Sequence, residues 1–208
     1  MIKFLAAALL ALATATPAAA LTVSTLADRD STAFSWGLPD TAAYGQTFSL
    51  AGAENITDFT FVINDGGTSI SYDSFIFGWD GTKASGSALF SGSGATAGVA
   101  AMTDHTTITG GVALGAGSYV ASFQATSSGP SNWGFVTSSD VYGGGLFVYQ
   151  NNSGDVGQLT TSSWTPNHQG TGFDLAFEIN ATPVPLPAAA PMLLAGPGGL
   201  LMLRRRKG

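Results

Sequence analysis

The chain has 208 residues, 13 acidic and seven basic side chains, a formal net charge of −6 and no cysteine. Lacking cysteine, it has no disulfide, no thiolate metal site and no cysteine nucleophile. All 13 acidic residues lie between Leu21 and Pro183, where Arg29 and Lys83 are the only basic ones, so that stretch carries −11 and repels nucleic acid and anionic lipid.

Met1–Ala20 reads MIKFLAAALLALATATPAAA. Lys3 makes a positive start, Phe4–Ala13 an apolar core, and Ala18-Ala19-Ala20 a small-residue end. This is the pattern of a secretory signal peptide, with Ala18 and Ala20 as the small residues of the cleavage site, the cut expected after Ala20, and signal peptidase as the implied partner. The chain then divides into a signal peptide (1–20), one ectodomain (21–183) and a tail (184–208). The ectodomain is long enough to bury a core without covalent staples.

Within the ectodomain the hydrophobic period is two. Phe59, Phe61 and Ile63 share one face of a strand over Thr57–Ile63. Tyr72–Trp79 is a second strand, with Phe75 and Phe77 on one face and Ile76 on the other. Tyr119–Phe123 and Leu146–Tyr149 follow the same form. In Phe173–Ile179 the alternation predicts Phe173, Leu175, Phe177 and Ile179 facing in, and Asp174, Ala176 and Glu178 facing out. Weaker strands are expected at Leu21–Leu26, Gln46–Leu50, Ala88–Ser91 and Thr106–Leu114. Asn64-Asp65-Gly66-Gly67 and Trp79-Asp80-Gly81-Thr82 carry the Asp-Gly steps of hairpin turns. Gly115-Ala116-Gly117 and Gly143-Gly144-Gly145 mark further loops. Eight to ten short strands with this punctuation predict an all-β fold, a single antiparallel, jelly-roll-like β-sandwich with no helix longer than a turn.

The chemistry-bearing residues are sparse. His105 and His168 both read as exposed loop residues, and neither has a partner histidine at metal-binding spacing. No Gly-x-Ser-x-Gly elbow occurs. The only glutamates, Glu54 and Glu178, read as a loop residue and an outer-face strand residue, a poor pair for glycoside hydrolysis. No catalytic residue is assigned, and a secreted hydrolase is the remotest reading. Asp28, Asp30 and Asp65 offer oxygens suited to a structural Ca²⁺, with backbone capping the alternative for each; no other cofactor is expected. Trp133 and Trp164 sit beside Asn132, Asn167, His168 and Gln169, a mixture suited to stacking sugar rings and bonding their hydroxyls. The competing reading is that these rings close the ends of the core.

The tail, Val184–Gly208, reads VPLPAAAPMLLAGPGGLLMLRRRKG. Its uncharged segment Ala188–Leu203 spans roughly 24 Å as a helix, against a hydrocarbon core of roughly 30 Å. Pro197, flanked by glycines, kinks it further. It suits a single transmembrane helix that holds the protein transiently, with Arg204, Arg205, Arg206 and Lys207 kept on the cytoplasmic side.

Val184-Pro185-Leu186-Pro187-Ala188, the apolar segment and the Arg204–Lys207 cluster together resemble the PEP-CTERM class of bacterial sorting signals, in its VPLPA variant. The resemblance covers about 25 residues. It implies recognition by an exosortase that cleaves near the motif, then release to the cell surface or extracellular matrix. Tyr44-Gly45-Gln46-Thr47-Phe48, Trp79-Asp80-Gly81 and Gly86-Ser87-Ala88-Leu89-Phe90 are similar to β-sandwich ectodomains that such proteins carry. The sequence thus predicts an exported, non-enzymatic, structural or adhesive protein. The alternative is a carbohydrate-binding module for exopolysaccharide.

Overall fold

The computed structural model describes residues 20–32, 35–139, 141–166 and 173–184. The strands are β1 (Leu21–Ser24), β2 (Arg29–Thr32), β3 (Ala43–Leu50), β4 (Glu54–Ile63), β5 (Ser71–Trp79), β6 (Ala84–Ala95), β7 (Thr103–Leu114), β8 (Gly117–Ala125), β9 (Val136–Ser138), β10 (Phe147–Gln150), β11 (Thr165–Pro166), β12 (Asp174–Leu175) and β13 (Phe177–Pro183). One turn of helix, α1 (Gln158–Thr161), and a 3₁₀ turn at Leu26–Asp28 complete them. Ala20–Val184 forms one compact unit. The fold is all-β, as the period of two predicts.

The strands form three sheets, in the orders β1-β13-β4-β7, β11-β10-β3-β8-β5-β6 and β12-β9-β2. Every pairing between these strands is antiparallel. The main core lies between the first two sheets. Ile56, Phe59, Phe61, Ile63, Phe177 and Ile179 from one meet Tyr44, Phe48, Tyr72, Ile76, Ala121 and Phe123 from the other. Each fully buried Phe contributes roughly 1.5–3 kcal/mol by leaving water.

β5 has aromatics on both faces because both are covered. Tyr72 and Ile76 enter the main core. Phe75 and Phe77 join Val120, Val148, Leu159 and Trp164 on the other face of the six-stranded sheet, under the segment that carries α1. The third sheet similarly covers β4: Val62 packs with Val136 and Ala176.

Three sequence expectations need correction. Asp174 and Ala176 do not face water; both are fully buried. The chain leaves β12 in the small sheet and enters β13 in the four-stranded sheet at Ala176, so the alternation does not run through. Asn64–Gly67 does not close a hairpin either, because β4 pairs with β13 and β7 while β5 pairs with β8 and β6. The turn carries the chain from one sheet to another. The Leu21–Leu26 strand stops at Ser24, where the 3₁₀ turn begins. By contrast, Asp80-Gly81 does join the antiparallel pair β5 and β6. Gly81 sits at φ 101°, and the Asp80 carboxylate accepts from the Thr82 and Lys83 amides at 2.8 Å.

Candidate functional site

The sorting residues Pro185, Leu186, Pro187 and Ala188, the basic cluster Arg204–Lys207, Ala18 and His168 lie outside the described residues. Ala20, after which cleavage is expected, is exposed immediately before β1. Val184 is described: it follows β13 directly, is about one-third exposed, and its amide donates to Ala53 O at 3.4 Å. No helix among the described residues is long and apolar enough to cross a membrane.

The two tryptophans proposed as sugar platforms part company. Trp164 is 4 % exposed. Its indole N–H donates to Leu159 O at 2.8 Å, and its ring packs edge-on against Trp79 at 6.2 Å. A ring so enclosed presents no face to a ligand, so the stacking role expected of Trp164 is corrected to core closure. Its amide also bonds Thr82 O at 2.9 Å, fixing the α1 segment to the β5–β6 turn.

Trp133 is 42 % exposed. It lies on the Asn64–Gly67 turn, where a Cβ on Gly66 would come within 2.3 Å of its Cδ1. Gly66 also sits at φ 63° and donates its amide to the Asn64 side chain, so both space and backbone demand glycine there. The Trp133 carbonyl accepts from the Trp36 amide at 3.4 Å, and the Gly134 carbonyl from the Asn64 amide at 3.0 Å. Two residues before Trp133, Ser131 helps line a cleft of about 140 Å³ with Ser35, Trp36, Pro39, Asp40 and Pro130. An exposed ring held through backbone hydrogen bonds thus lies two residues along the chain from a cleft with hydroxyls and one carboxylate.

The calcium expectation finds a different chemistry at each aspartate. Asp65 is 2 % exposed and both its oxygens are engaged by protein. Gly67 donates to Oδ1 at 3.0 Å and Gly98 to Oδ2 at 2.6 Å. Burial pushes its carboxyl up, but hydrogen bonds from Thr96, Gly67, Gly98 and Val99 outweigh this and hold it below its ordinary value. Asp65 is a latch between the 64–68 turn and the loop after β6. The exposed Asp28 ends the 3₁₀ turn, and Asp30 accepts from Thr137 Oγ1 at 3.2 Å. No three His, Cys, Asp or Glu side chains gather as a metal set among the described residues.

The latch has a pH signature. A carboxylate with a lowered folded-state value stabilises fully above its unfolded value, about pH 4, and loses that stabilisation as the pH falls through the folded value. Asp65→Asn should cost about 2 kcal/mol at pH 7, since it replaces charge-assisted bonds with neutral ones. The difference from wild type should shrink as the pH drops below 4. Urea unfolding of both proteins across pH 3–7 checks this; a constant gap would contradict it.

Several features escaped sequence reasoning. His105 is not in a loop: it lies on β7 opposite Phe61 and is 8 % exposed, because its side chain shares the inward face of that strand. Gln46 and Asp174, in different sheets, bond at 2.7 Å, the Gln46 side-chain N–H donating, and Gln46 Oε1 accepts from Leu175 N at 2.9 Å. The outer side of the four-stranded sheet carries a polar row. Thr22 donates to Asn180 at 2.9 Å, and Asn180 donates to Asp58 at 2.8 Å and Glu178 at 3.0 Å. The signal was available, since these residues alternate with the core positions of β1, β4 and β13.

No protein-family model matches the chain, and neither does any curated protein or solved structure. The residues themselves therefore carry the functional argument.

Proposed function

We propose that this chain is an exported cell-surface or extracellular-matrix protein with a structural or adhesive, non-enzymatic ectodomain. On this reading it is held transiently in the inner membrane by its tail and processed by an exosortase. The observation that carries the reading is the Val184–Ala188 motif followed by an uncharged segment and Arg204–Lys207, at the far end from a secretory leader. The close abutment of β13 and the motif supports it. A cut after Val184 leaves every strand of the unit intact, and Val184 itself is accessible. The core shared by the four- and six-stranded sheets supports reading the ectodomain as a jelly-roll-like β-sandwich.

Replacing Pro185 and Pro187 with alanine tests the motif. In a host with a cognate exosortase, the variant should stay in the inner-membrane fraction while the parent chain reaches the surface or medium. Equal distribution of the two would remove the motif's role.

A second reading, a polysaccharide-binding ectodomain, is favoured by Trp133. Its ring is partly open to solvent, packed against Gly66 and close in the chain to the Ser35–Ser131 cleft. An exposed ring of this kind stacks on sugar C–H faces and loses little entropy on binding. Trp133→Ala should reduce retention on exopolysaccharide affinity gels at least tenfold, with unfolding free energy changed by less than about 1 kcal/mol. Retention equal to the parent's would discard the reading.

A further inference from the structure

His105 is an edge-strand residue built into the core. β7 is the last strand of its sheet, paired with β4 over Thr103–Ile108 and, past a bulge, over Val112–Leu114. Across this stretch β4 presents Asp58 and then Phe59–Ile63, and His105 sits opposite Phe61. Phe61 belongs to the main core, in edge-on contact with Phe123 at 5.1 Å and Phe135 at 5.3 Å. The His105 Nε2 is shut off from water and has no hydrogen-bond partner among the described residues. A neutral imidazole tolerates such a position; an imidazolium does not, because its second N–H and its charge are both unmet.

The carboxylates near it attract a proton on the ring less than burial repels it, and none bonds Nε2. Asp65 has its oxygens committed to Gly67 and Gly98. Asp104 points to the other side of β7 and pairs with Arg29 at 3.5 Å, both half-exposed. Residues 59–63 of β4 carry no ionisable side chain, and neither does β6, the strand next to β7 across the sheet boundary. Asp58 lies further along, opposite Ile108, and is bonded to Asn180.

We propose that His105 makes β7 an acid-releasable edge: a proton on its enclosed imidazole loosens β7 from β4 while the rest of the unit stays folded. The release is local because β7 has one sheet neighbour, whereas β4 is also held by β13 over seven paired residues. Ile108, 71 % exposed on the same strand, already lies outside the core and resists nothing. The proposal stands independently of how the tail is processed.

The sign follows from linkage. Burial lowers the affinity of His105 for a proton, more than the attractions of Asp65 and Asp104 raise it. The opened strand therefore binds the proton better than the closed one. Closure is fully favoured above the ordinary histidine value of about 6.5 and weakens as the pH falls below it.

Hydrogen exchange on the full protein tests this. Protection factors of the Thr103–Ile108 amides should fall between pH 7 and 5, by at most tenfold per pH unit, the limit for one linked proton. Amides of β3 and β8 should hold their protection. In His105→Gln and His105→Leu the fall should vanish. A flat profile in the wild type, or the same fall in both variants, would overturn the proposal. Should neither variant fold, NMR titration of the imidazoles in the wild type decides. His105 should take up its proton below pH 6.5, together with the loss of β7 protection. Titration at or above 6.5, or without loss of protection, would overturn it.

Discussion

Phe123→Ala is expected to cost about 4 kcal/mol and lower the midpoint of thermal unfolding by about 10 °C, the largest loss of any single truncation. Phe123, on β8, is fully buried. Its ring stacks on Tyr72 at 4.1 Å and meets Phe61 at 5.1 Å, Phe59 at 5.8 Å and Phe135 at 5.9 Å. It is therefore a ring on which the four- and six-stranded sheets meet. Removing it takes away the transfer energy of a phenyl group and leaves a cavity whose walls belong to β4, β5 and the Phe135 segment. Walls drawn from different sheets cannot collapse together, which places the cost toward the upper part of the usual 3–5 kcal/mol range. Each lost ring pair adds roughly 0.5–1.5 kcal/mol. Phe123→Leu should recover about half of the loss by refilling volume without the ring contacts. Urea unfolding of the three proteins measures both steps; a loss below about 2 kcal/mol for the alanine variant would show that Phe123 is not central.

Asp174→Ala should cost about 3–4 kcal/mol through unmet donors rather than lost volume. The carboxylate has no exposure to water. It accepts from Gln46 Nε2 at 2.7 Å, Tyr142 N at 2.8 Å and Val141 N at 3.2 Å. Each buried donor left unsatisfied costs about 1–3 kcal/mol. Asp174 thereby ties β12, β3 and the 141–142 segment together, and Gly145 lets that segment close: a Cβ there would stand 1.8 Å from Thr47 O. Asp174→Asn keeps an acceptor and should cost less. Gln46→Ala in the Asp174→Ala background should then add little, because the two act as one unit. A fully additive double variant, read by urea unfolding, would contradict the coupling.

These residues also mark where the sequence was legible. Alternation identified the core faces of β5, β8 and the Phe59–Ile63 part of β4, where the period of two holds; β4 loses it at the bulge between Ile56 and Asp58. Phe75 and Phe77 against Ile76 was read correctly from the pattern alone, since both faces of β5 are apolar and both are buried. The pattern failed at Asp174 and Ala176, where the strand changes sheets and a third sheet covers the face that alternation leaves to water. Turn chemistry fixed the local backbone at Asn64–Gly67, but Asp-Gly steps do not encode which strand follows into which sheet. Trp164 and Trp133 look alike in sequence, each beside polar residues near a strand end. One is sealed by Leu159 and Trp79, the other rests on a glycine turn with a face open; only tertiary contacts separate them. His105 was misplaced because β7 begins three residues earlier than its apolar alternation suggests, at Thr103, and threonines form most of its inward face. Asp65 showed the type of residue but not its use, since a carboxylate that could meet a cation meets four protein donors instead.

On the function proposed above, the tail delivers the ectodomain. Mass spectrometry of the mature C-terminus tests it most directly, with the full chain expressed in one host that has a cognate exosortase and in one that lacks it. The Arg204–Lys207 end should be lost only where the enzyme is present, with β13 retained through Pro183 and the protein found outside the inner membrane. An intact C-terminus in both hosts would contradict it and leave the tail a plain anchor.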